Sequence, residues 1–263
     1  MNRLADTFQR TKAESRLALM PYLTAGFPEP GASADLMSAM LDSGADALEI
    51  GIPFSDPMAD GMTMQRANEQ ALRQGATTLT ALHTVQAVRA RNASVPLVFM
   101  SYYNPLLAYG ETDFCRAAKE AGADGIIVPD LPPEESQPMR QACAGAGIEY
   151  IFMLGPTSTP ERVQLVGRLA SGFIYCVALV GVTGARSDLS GGLSGFLSRV
   201  RAATDVPLVV GFGISRPEHV AALHGQAEGV IVASALSDLI ESTPAEQRVQ
   251  AVSKRIVEFR AAA

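Results

Sequence analysis

Short apolar runs alternate along the chain with longer segments in which apolar residues recur every three or four positions. The short runs are typical of buried strands, and the longer period is that of amphipathic helices. The pattern predicts eight strands, each followed by a helix. The predicted strands span residues 17–23, 47–51, 97–102, 125–128, 149–154, 173–177, 208–211 and 230–232.

The predicted helices occupy most of the chain between these strands. Several of them stop at a glycine that stands just before the next strand, as at Gly44, Gly122 and Gly147, and glycine is the usual residue just past a helix end. The predicted helices span residues 1–14, 31–43, 62–74, 78–91, 112–121, 134–146, 160–170, 192–204, 217–223 and 244–259.

Alternating strands and helices indicate parallel strands joined by right-handed crossovers. Eight such units predict a closed (β/α)8 barrel, which commonly needs about 250 residues. We therefore expect one barrel domain over residues 1–263, with an extra N-terminal helix and short inserted helices. An open doubly wound sheet is the competing fold, but the first strand-to-helix turn lacks its Gly-x-Gly-x-x-Gly fingerprint.

The composition of the chain argues against several classes of function. The chain is 48% hydrophobic and 18% charged, which is typical of a protein with a large core, and its net charge of −6 argues against nucleic acid or anionic membranes as partners. No apolar stretch approaches the roughly 18 residues of a membrane span, and the N-terminus lacks a signal core, so we expect a cytoplasmic protein. The cysteines, Cys115, Cys143 and Cys176, show no metal-ligand spacing, and we predict no metal site.

Two carboxylates stand at the end of the second predicted strand. Glu49 interrupts an apolar run, where a charged group is costly unless it is paired or functional, and Asp60 follows on a Pro- and Asp-rich loop. Strand parity turns Glu49 into the barrel, near the mouth where barrel enzymes keep their active sites. We therefore predict proton-transfer chemistry at these two residues and a raised pKa for Glu49.

The same parity predicts an apolar pocket with a phosphate site beside it. It turns Met100, Tyr102, Ile127 and Tyr175 into the mouth, which suits a flat apolar substrate. Glycine-rich loops follow strands six and seven, at residues 181–185 and 210–215, and a short helix opens after strand eight near Ser234. Loops and helix N-termini at these places bind phosphate in many barrels. Ser234 is expected to be both N-cap and phosphate ligand.

With these residues in hand, the chain resembles the α subunit of tryptophan synthase along nearly its whole length. Several long motifs occur in the family's order, among them GIPFSDPMADG at 51–61 and GFGIS at 211–215. The remaining matches lie at residues 20–26, 48–50, 102–105, 127–135 and 181–184.

The resemblance implies retro-aldol cleavage of indole-3-glycerol phosphate to indole and glyceraldehyde 3-phosphate. It implies that Glu49 shuttles the proton, that Asp60 accepts the indole N–H, and that Thr183 orients Asp60 when a lid after strand six closes. It further implies a substrate pocket. That pocket consists of Tyr22, Met100, Tyr102, Ile127, Tyr175, Thr183, Phe212 and Ile231, with Gly184, Gly213, Ala233 and Ser234 holding the phosphate.

The resemblance also implies a partner, the pyridoxal-phosphate-dependent β subunit, in an α2β2 heterotetramer. Pyridoxal phosphate is expected only in that partner, and no cofactor is expected in this chain. The expected contact residues are Pro53, Phe54, Asp56, Asn104, Pro129 and Asp130.

Alternatives remain beside this interpretation. The family usually has Ser at Ala178 and Gly at Ala233, which raises the possibility of a weakly active subunit that mainly activates its β partner. A phosphate-handling sugar epimerase or isomerase is a further rival, but such enzymes usually need strand-end histidines. His83, His219 and His224 fall on predicted helices away from strand ends, and none is given a catalytic role.

Overall fold

A closed parallel barrel is the centre of the computed structural model, which describes residues 2–178 and 192–263. The strands follow one another in chain order around the barrel, and β1 hydrogen-bonds to β8 to close it, as predicted. The strands are β1 Ala18–Thr24, β2 Leu48–Gly51, β3 Leu97–Met100, β4 Gly125–Ile127, β5 Glu149–Leu154, β6 Ile174–Val177, β7 Leu208–Gly211 and β8 Gly229–Val232.

Helices surround the barrel and cover its outer face. Within the described residues, none of them is long and apolar enough to cross a bilayer. They are α1 Arg3–Ala13, α2 Ala32–Asp42, α3 Met62–Arg73, α4 Thr78–Arg91, α5 Tyr103–Tyr109, α6 Glu111–Ala121, α7 Gln137–Ala146, α8 Pro160–Leu169, α9 Gly192–Arg201, α10 Pro217–Ala221, α11 Ser234–Ser242 and α12 Arg248–Ala262, with a 3-10 turn at Ala245–Gln247.

Two separate apolar layers follow from the alternation of side chains along each strand. Leu48 and Ile50 belong to the large layer between the strands and the helices. Ala47 belongs to the smaller cluster inside the barrel, and Glu49, on the same face of the strand, is buried there with it. The inward parity predicted for β2 is therefore confirmed.

Several element boundaries differ from the sequence prediction, and three differences are larger or have a visible cause. The predicted strand 97–102 ends at Met100, because the chain turns at Tyr102 into α5, where Pro105 is tolerated in a first helical turn. The helix predicted from residue 134 begins at Gln137, after a turn in which the Ser136 hydroxyl donates to the Pro133 carbonyl over 2.8 Å. The helix predicted over 244–259 is a 3-10 turn followed by α12.

The same hydrogen-bonding arrangement occurs at three places on the barrel floor, the end of the barrel at which the strands begin. An acidic side chain standing shortly before β2, β4 or β8 accepts a backbone N–H from the preceding strand of the barrel, which ties neighbouring strands together at their N-terminal ends. The bonds run from Leu19 N to Asp46 Oδ2 (3.0 Å), Leu97 N to Asp124 Oδ2 (3.0 Å) and Leu208 N to Glu228 Oε2 (2.7 Å).

Arginines neutralise these carboxylates and attach α1 to the floor. Leu4 and Phe8 of α1 are buried, and the Phe8 ring lies edge-on to Phe173, with 6.1 Å between centroids. Because this apolar face covers the open end of the barrel, the extra N-terminal helix acts as its plug. The ion pairs join Arg16 and Arg10 to Asp46, Arg89 and Arg3 to Asp124, and Arg201 to Glu228.

We expect Asp46→Asn to lower the free energy of unfolding by about 2–4 kcal/mol, because it removes the charge of a buried carboxylate that pairs with both Arg16 and Arg10 and leaves Arg16 with the more exposed Glu14 as its counter-charge. Burial opposes ionisation of Asp46, but the hydrogen bonds from Arg16, Leu19 N and Arg10 and the positive charge of Arg16 together outweigh it and lower the pKa. A lowered pKa stabilises the fold at neutral pH and stops doing so as the pH falls through it, so the effect shrinks in acid.

Urea unfolding at pH 7 and pH 3 measures this effect, with Asp35→Asn as the matched control. Asp35 forms an exposed ion pair with Arg91, and its loss is expected to cost under about 0.5 kcal/mol. Equal destabilisation by the two variants would show that the floor carboxylates are no stronger than surface pairs.

Candidate active site

Glu49 lies inside the barrel mouth, where it has few polar neighbours. Its side chain is 3% exposed, and its Oε2 atom has no hydrogen-bond partner among the described residues. Burial raises the pKa of Glu49 to about 8, and the negative charge of Asp60 adds to the shift. The raised pKa predicted for this residue is confirmed, and Glu49 is mainly a neutral acid at pH 7.

Asp60 lies half-buried on the loop between β2 and α3. Burial raises its pKa to about 6, while hydrogen bonding by Tyr102 and Asn68 partly offsets the rise. The loop is held by two further contacts, from Ala59 N to the Tyr102 hydroxyl (2.9 Å) and from Gln65 Nε2 to the Asp60 carbonyl (2.9 Å). Asp60 is therefore mainly ionised at pH 7.

The two carboxyl groups thus have different protonation states at the same end of the barrel. Glu49 offers a proton, and Asp60 offers a negative charge, although both residues carry the same functional group. Separate environments that move two carboxyl pKa values apart are the usual arrangement for acid–base chemistry. The geometry is suited to protonating a substrate atom while a neighbouring positive charge is stabilised.

Asn68 is a site residue that sequence reasoning missed. It is 3% exposed and donates from Nδ2 to Asp60 Oδ2 (3.2 Å) and to the Met64 carbonyl (2.9 Å). Its Oδ1 accepts the Phe54 N–H over 3.2 Å. One side chain therefore ties both ends of the β2–α3 loop to α3. The available signal was a polar residue on the apolar face of a helix.

The residues predicted to line a substrate pocket lie together inside the barrel. Six of the predicted side chains are buried in one cluster inside the barrel, and two more pack against its edge. The buried six are Tyr22, Met100, Tyr102, Ile127, Tyr175 and Ile231, and the other two are Phe212 and Ala233.

Two tyrosines rest on glycines of the neighbouring strands. A Cβ atom at Gly51 would lie 1.9 Å from the Tyr22 hydroxyl oxygen, and one at Gly211 would lie 2.0 Å from that of Tyr175. The Tyr22 hydroxyl also lies 3.2 Å from Thr24 Oγ1. Glycine at the ends of β2 and β7 thus makes room for both rings, a role that sequence reasoning did not assign.

The candidate phosphate loops lie side by side, because β7 and β8 are neighbours in the barrel. Phe212 and Gly213 form a turn after β7, and α11 begins at Ser234. The N-cap position belongs to Ala233, so the N-cap role predicted for Ser234 is wrong; β8 ends at Val232 as predicted, but the helix already includes Ser234 as its first residue. Thr183 and Gly184 lie outside the described residues.

The predicted partner residues follow the ends of β2, β3 and β4, at one side of the mouth. Phe54 stacks on Tyr102 with 5.3 Å between centroids, and Asp130 Oδ1 accepts the Tyr103 N–H over 2.9 Å. Met58, on the same loop as Phe54, is 93% exposed. The full set is Pro53, Phe54 and Asp56 on the β2–α3 loop, Asn104 on α5, and Pro129 and Asp130 after β4.

Metal ligation has no obvious place in the part of the chain that the structure covers. Residues 2–178 and 192–263 contain no group of three or more His, Cys, Asp or Glu side chains that could hold an ion.

Comparison with known proteins gives one consistent result. The sequence profile of the family described as "Tryptophan synthase alpha chain" matches residues 8–263. A protein of that name from Roseiflexus castenholzii is 52% identical over 243 residues, which is 92% of this chain and 93% of the relative. One from Chloroflexus aurantiacus is 48% identical over 262 residues, covering 100% of this chain and 98% of the relative.

Solved structures agree. Tryptophan synthase subunit alpha from Legionella pneumophila superposes with a TM-score of 0.90 at 36% identity, covering 100% of this chain and 98% of its own. A chain of the aminoacrylate-bound tryptophan synthase from M. tuberculosis gives a TM-score of 0.89 at 34% identity, covering 100% and 99%.

We expect Asn68→Ala to raise the pKa of Asp60, because it removes a hydrogen bond to the ionised carboxylate. An NMR titration of the Asp60 carboxyl carbon measures the shift. Gln65→Ala is the matched control, since Gln65 contacts the backbone carbonyl of Asp60 and leaves the carboxylate bonds intact. The same Asp60 pKa in both variants would contradict the role given to Asn68.

Proposed function

The chain belongs to the tryptophan synthase alpha chain family, and we propose that Glu49 and Asp60 are the acid–base pair of its reaction. As a member of the family it is a lyase subunit of tryptophan biosynthesis, of class EC 4.2.1.20. It cleaves indole-3-glycerol phosphate by a retro-aldol reaction to indole and glyceraldehyde 3-phosphate.

One observation carries the assignment of Glu49. A carboxyl group that is buried and unpartnered among the described residues is costly to the fold, since burial of a polar group without a hydrogen bond is unfavourable. Such a group is expected where its free oxygen has a substrate atom to meet. The pKa of about 8 leaves that oxygen protonated and ready to act as an acid at neutral pH.

Glu49 then donates one proton to the substrate and accepts another from it. The neutral acid protonates carbon C3 of the indole ring, which places a positive charge on the ring. The bond between C3 and the hydroxyl-bearing carbon breaks, its electron pair restores the indole ring, and the hydroxyl proton passes to the Glu49 carboxylate. Indole and the aldehyde of glyceraldehyde 3-phosphate result, with Glu49 again protonated.

Asp60 stabilises the charged intermediate. Its ionised carboxylate accepts the indole N–H, whose nitrogen carries the positive charge after C3 is protonated. Tyr102 and Asn68 hold the pKa of Asp60 below what burial alone would produce, so the negative charge survives in the apolar mouth. Thr183, which the resemblance assigns to orienting Asp60, lies outside the described residues.

The remaining predicted residues form the rest of the substrate site in this proposal. The indole ring lies between the apolar and aromatic walls, and the phosphate lies at the paired turns after β7 and β8. The supporting observations are the shared interior cluster and the α11 N-terminus, whose free N–H groups and dipole favour an anion. The phosphate ligands proposed here are Gly184, Gly213, Ala233 and Ser234.

A β subunit is the partner that the family implies. We propose that it docks on Pro53, Phe54, Asp56, Asn104, Pro129 and Asp130, in an α2β2 heterotetramer. The exposed Met58 beside Phe54 supports an apolar contact on this face. Asn68 binds both Phe54 N and Asp60 Oδ2, so a displacement of the loop at Phe54 by the β subunit would also move Asp60.

We propose that the chain uses no cofactor of its own, because two carboxyl groups supply every proton movement above. Pyridoxal phosphate belongs to the β subunit in this proposal. The whole chain, residues 1–263, acts as one barrel domain, and its three free buried cysteines suit a reducing cytoplasm.

We expect Glu49→Gln to reduce kcat for indole release by at least about 10³-fold while leaving the affinity for indole-3-glycerol phosphate within about 3-fold, because glutamine fills the same space but cannot donate a carboxyl proton. Steady-state kinetics with and without β subunit measure the effect. Glu149→Gln, at the floor end of β5, is the matched control and should stay near wild type. A Glu49→Gln enzyme retaining a tenth of wild-type turnover would exclude the proton shuttle.

The pH profile of kcat/KM is expected to be bell-shaped. Activity requires ionised Asp60 and is lost as the pH falls through about 6, and it requires protonated Glu49 and is lost as the pH rises through about 8. Initial rates between pH 5 and 9.5 at low substrate test this. A flat profile from pH 7 to 9 would be inconsistent with Glu49 starting as the acid.

A further inference from the structure

The turn after β7 takes a strained shape. Phe212 has φ +68° and Gly213 has φ +78°, so two successive residues lie in the left-handed region. Glycine adopts this region freely, but a residue with a side chain is strained there and keeps the conformation only when its surroundings hold it. The Phe212 ring has one support, an edge-to-face contact with Tyr175 at 5.9 Å between centroids.

A second support comes from a helix behind the turn. The His219 ring, on α10, places Nδ1 3.1 Å from the Gly213 carbonyl oxygen. On its other side, Nε2 lies 3.0 Å from Arg216 Nη2 and 3.3 Å from Arg216 Nε. The ring therefore stands between a backbone carbonyl and a guanidinium.

These neighbours decide where the imidazole hydrogen sits. A guanidinium has only donors, so Nε2 must present its lone pair to Arg216. Nδ1 then carries the hydrogen and donates to the Gly213 carbonyl. The Ser215 N–H also approaches Nδ1, at 3.3 Å, but this nitrogen cannot accept that bond while it carries the hydrogen.

We propose that His219 is a positioning residue for substrate phosphate, which it never touches. Its Nδ1–H bond fixes the peptide plane of Gly213, and Arg216 locks the tautomer that makes this bond. A peptide is planar, so fixing the Gly213 carbonyl also fixes the Ile214 N–H in the same plane, together with the Cα atom of Gly213 that carries the Gly213 N–H. The turn is thereby held ready to present its backbone N–H groups to an anion.

The inference rests on the proposed function, in which this turn binds the phosphate. It goes beyond that proposal because no strand-end pattern points to His219, which the sequence placed on a helix away from the strand ends. The phosphate is remote from the C3 atom that Glu49 protonates. Loosening the turn should therefore weaken binding of substrate without slowing the chemical step.

The test compares His219→Leu with His219→Asn in the full chain. Leucine removes the donor, whereas the asparagine amide can place an N–H where Nδ1–H lies. We expect His219→Leu to raise KM for indole-3-glycerol phosphate by about 3- to 10-fold, the loss of one hydrogen bond, with kcat within about 2-fold of wild type. We expect His219→Asn to restore most of the affinity.

Inorganic phosphate serves as a second probe. As a competitive inhibitor it should bind the leucine variant more weakly by a similar factor. His224→Leu is the matched control, because His224 Nε2 contacts the Ala262 carbonyl, away from the turn, over 3.0 Å. If His219→Leu does not fold, His219→Gln replaces it: its amide reaches the Nε2 position instead of Nδ1, and the same rise in KM is expected.

Two results would overturn the inference. An unchanged KM in a folded His219→Leu or His219→Gln enzyme would show that the turn needs no such support. A fall in kcat as large as the rise in KM, together with the same losses in the asparagine variant as in the leucine variant, would show a merely structural role. Neither result touches the proposed function, which instead fails if Glu49→Gln remains active or if the wild-type chain releases no indole even with its β subunit.

Discussion

The mouth of this barrel depends on one costly arrangement, a glutamic acid buried beside an apolar cluster. Burial and, to a smaller extent, the negative charge of Asp60 together raise the pKa of Glu49 to about 8. The fold tolerates this because the carboxyl is neutral at pH 7, when its desolvation is least unfavourable. The proposed reaction needs the same neutral form, so the property that is costly to the fold is the one that the proposed chemistry would use.

The opposite end of the barrel provides the stability that this requires. There the carboxylates of Asp46, Asp124 and Glu228 are all paired, each with an arginine and with a backbone N–H of the neighbouring strand. The helix α1 covers the floor with Leu4 and Phe8. Stability and function are thus separated along the barrel axis, since strand starts are clamped while strand ends lead into irregular loops.

Two side chains behind those loops show how the surrounding helices shape the mouth. Asn68 joins Phe54 N and Asp60 Oδ2 from one side, and His219 donates to the Gly213 carbonyl from another. Both stand on helices and act through hydrogen bonds to loop residues. A helix is a rigid support, so a loop tied to it retains its geometry between turnovers.

Local pattern determined most of the fold. The alternation of strands and helices, the eight-fold count and the inward parity of Glu49 follow from periodicities that the chain carries residue by residue, and the motif resemblance named the carboxylate pair. The ends of helices and strands were harder to predict from the sequence, because α5 and the start of α7 depend on turn contacts of Tyr102 and Ser136. Only the tertiary structure decided which distant groups meet: Tyr22 over Gly51, Asn68 on Asp60 and His219 on Gly213. Those contacts depend on how the closed barrel brings separate loops together. No local periodicity encodes the distance between residues that are far apart in the sequence.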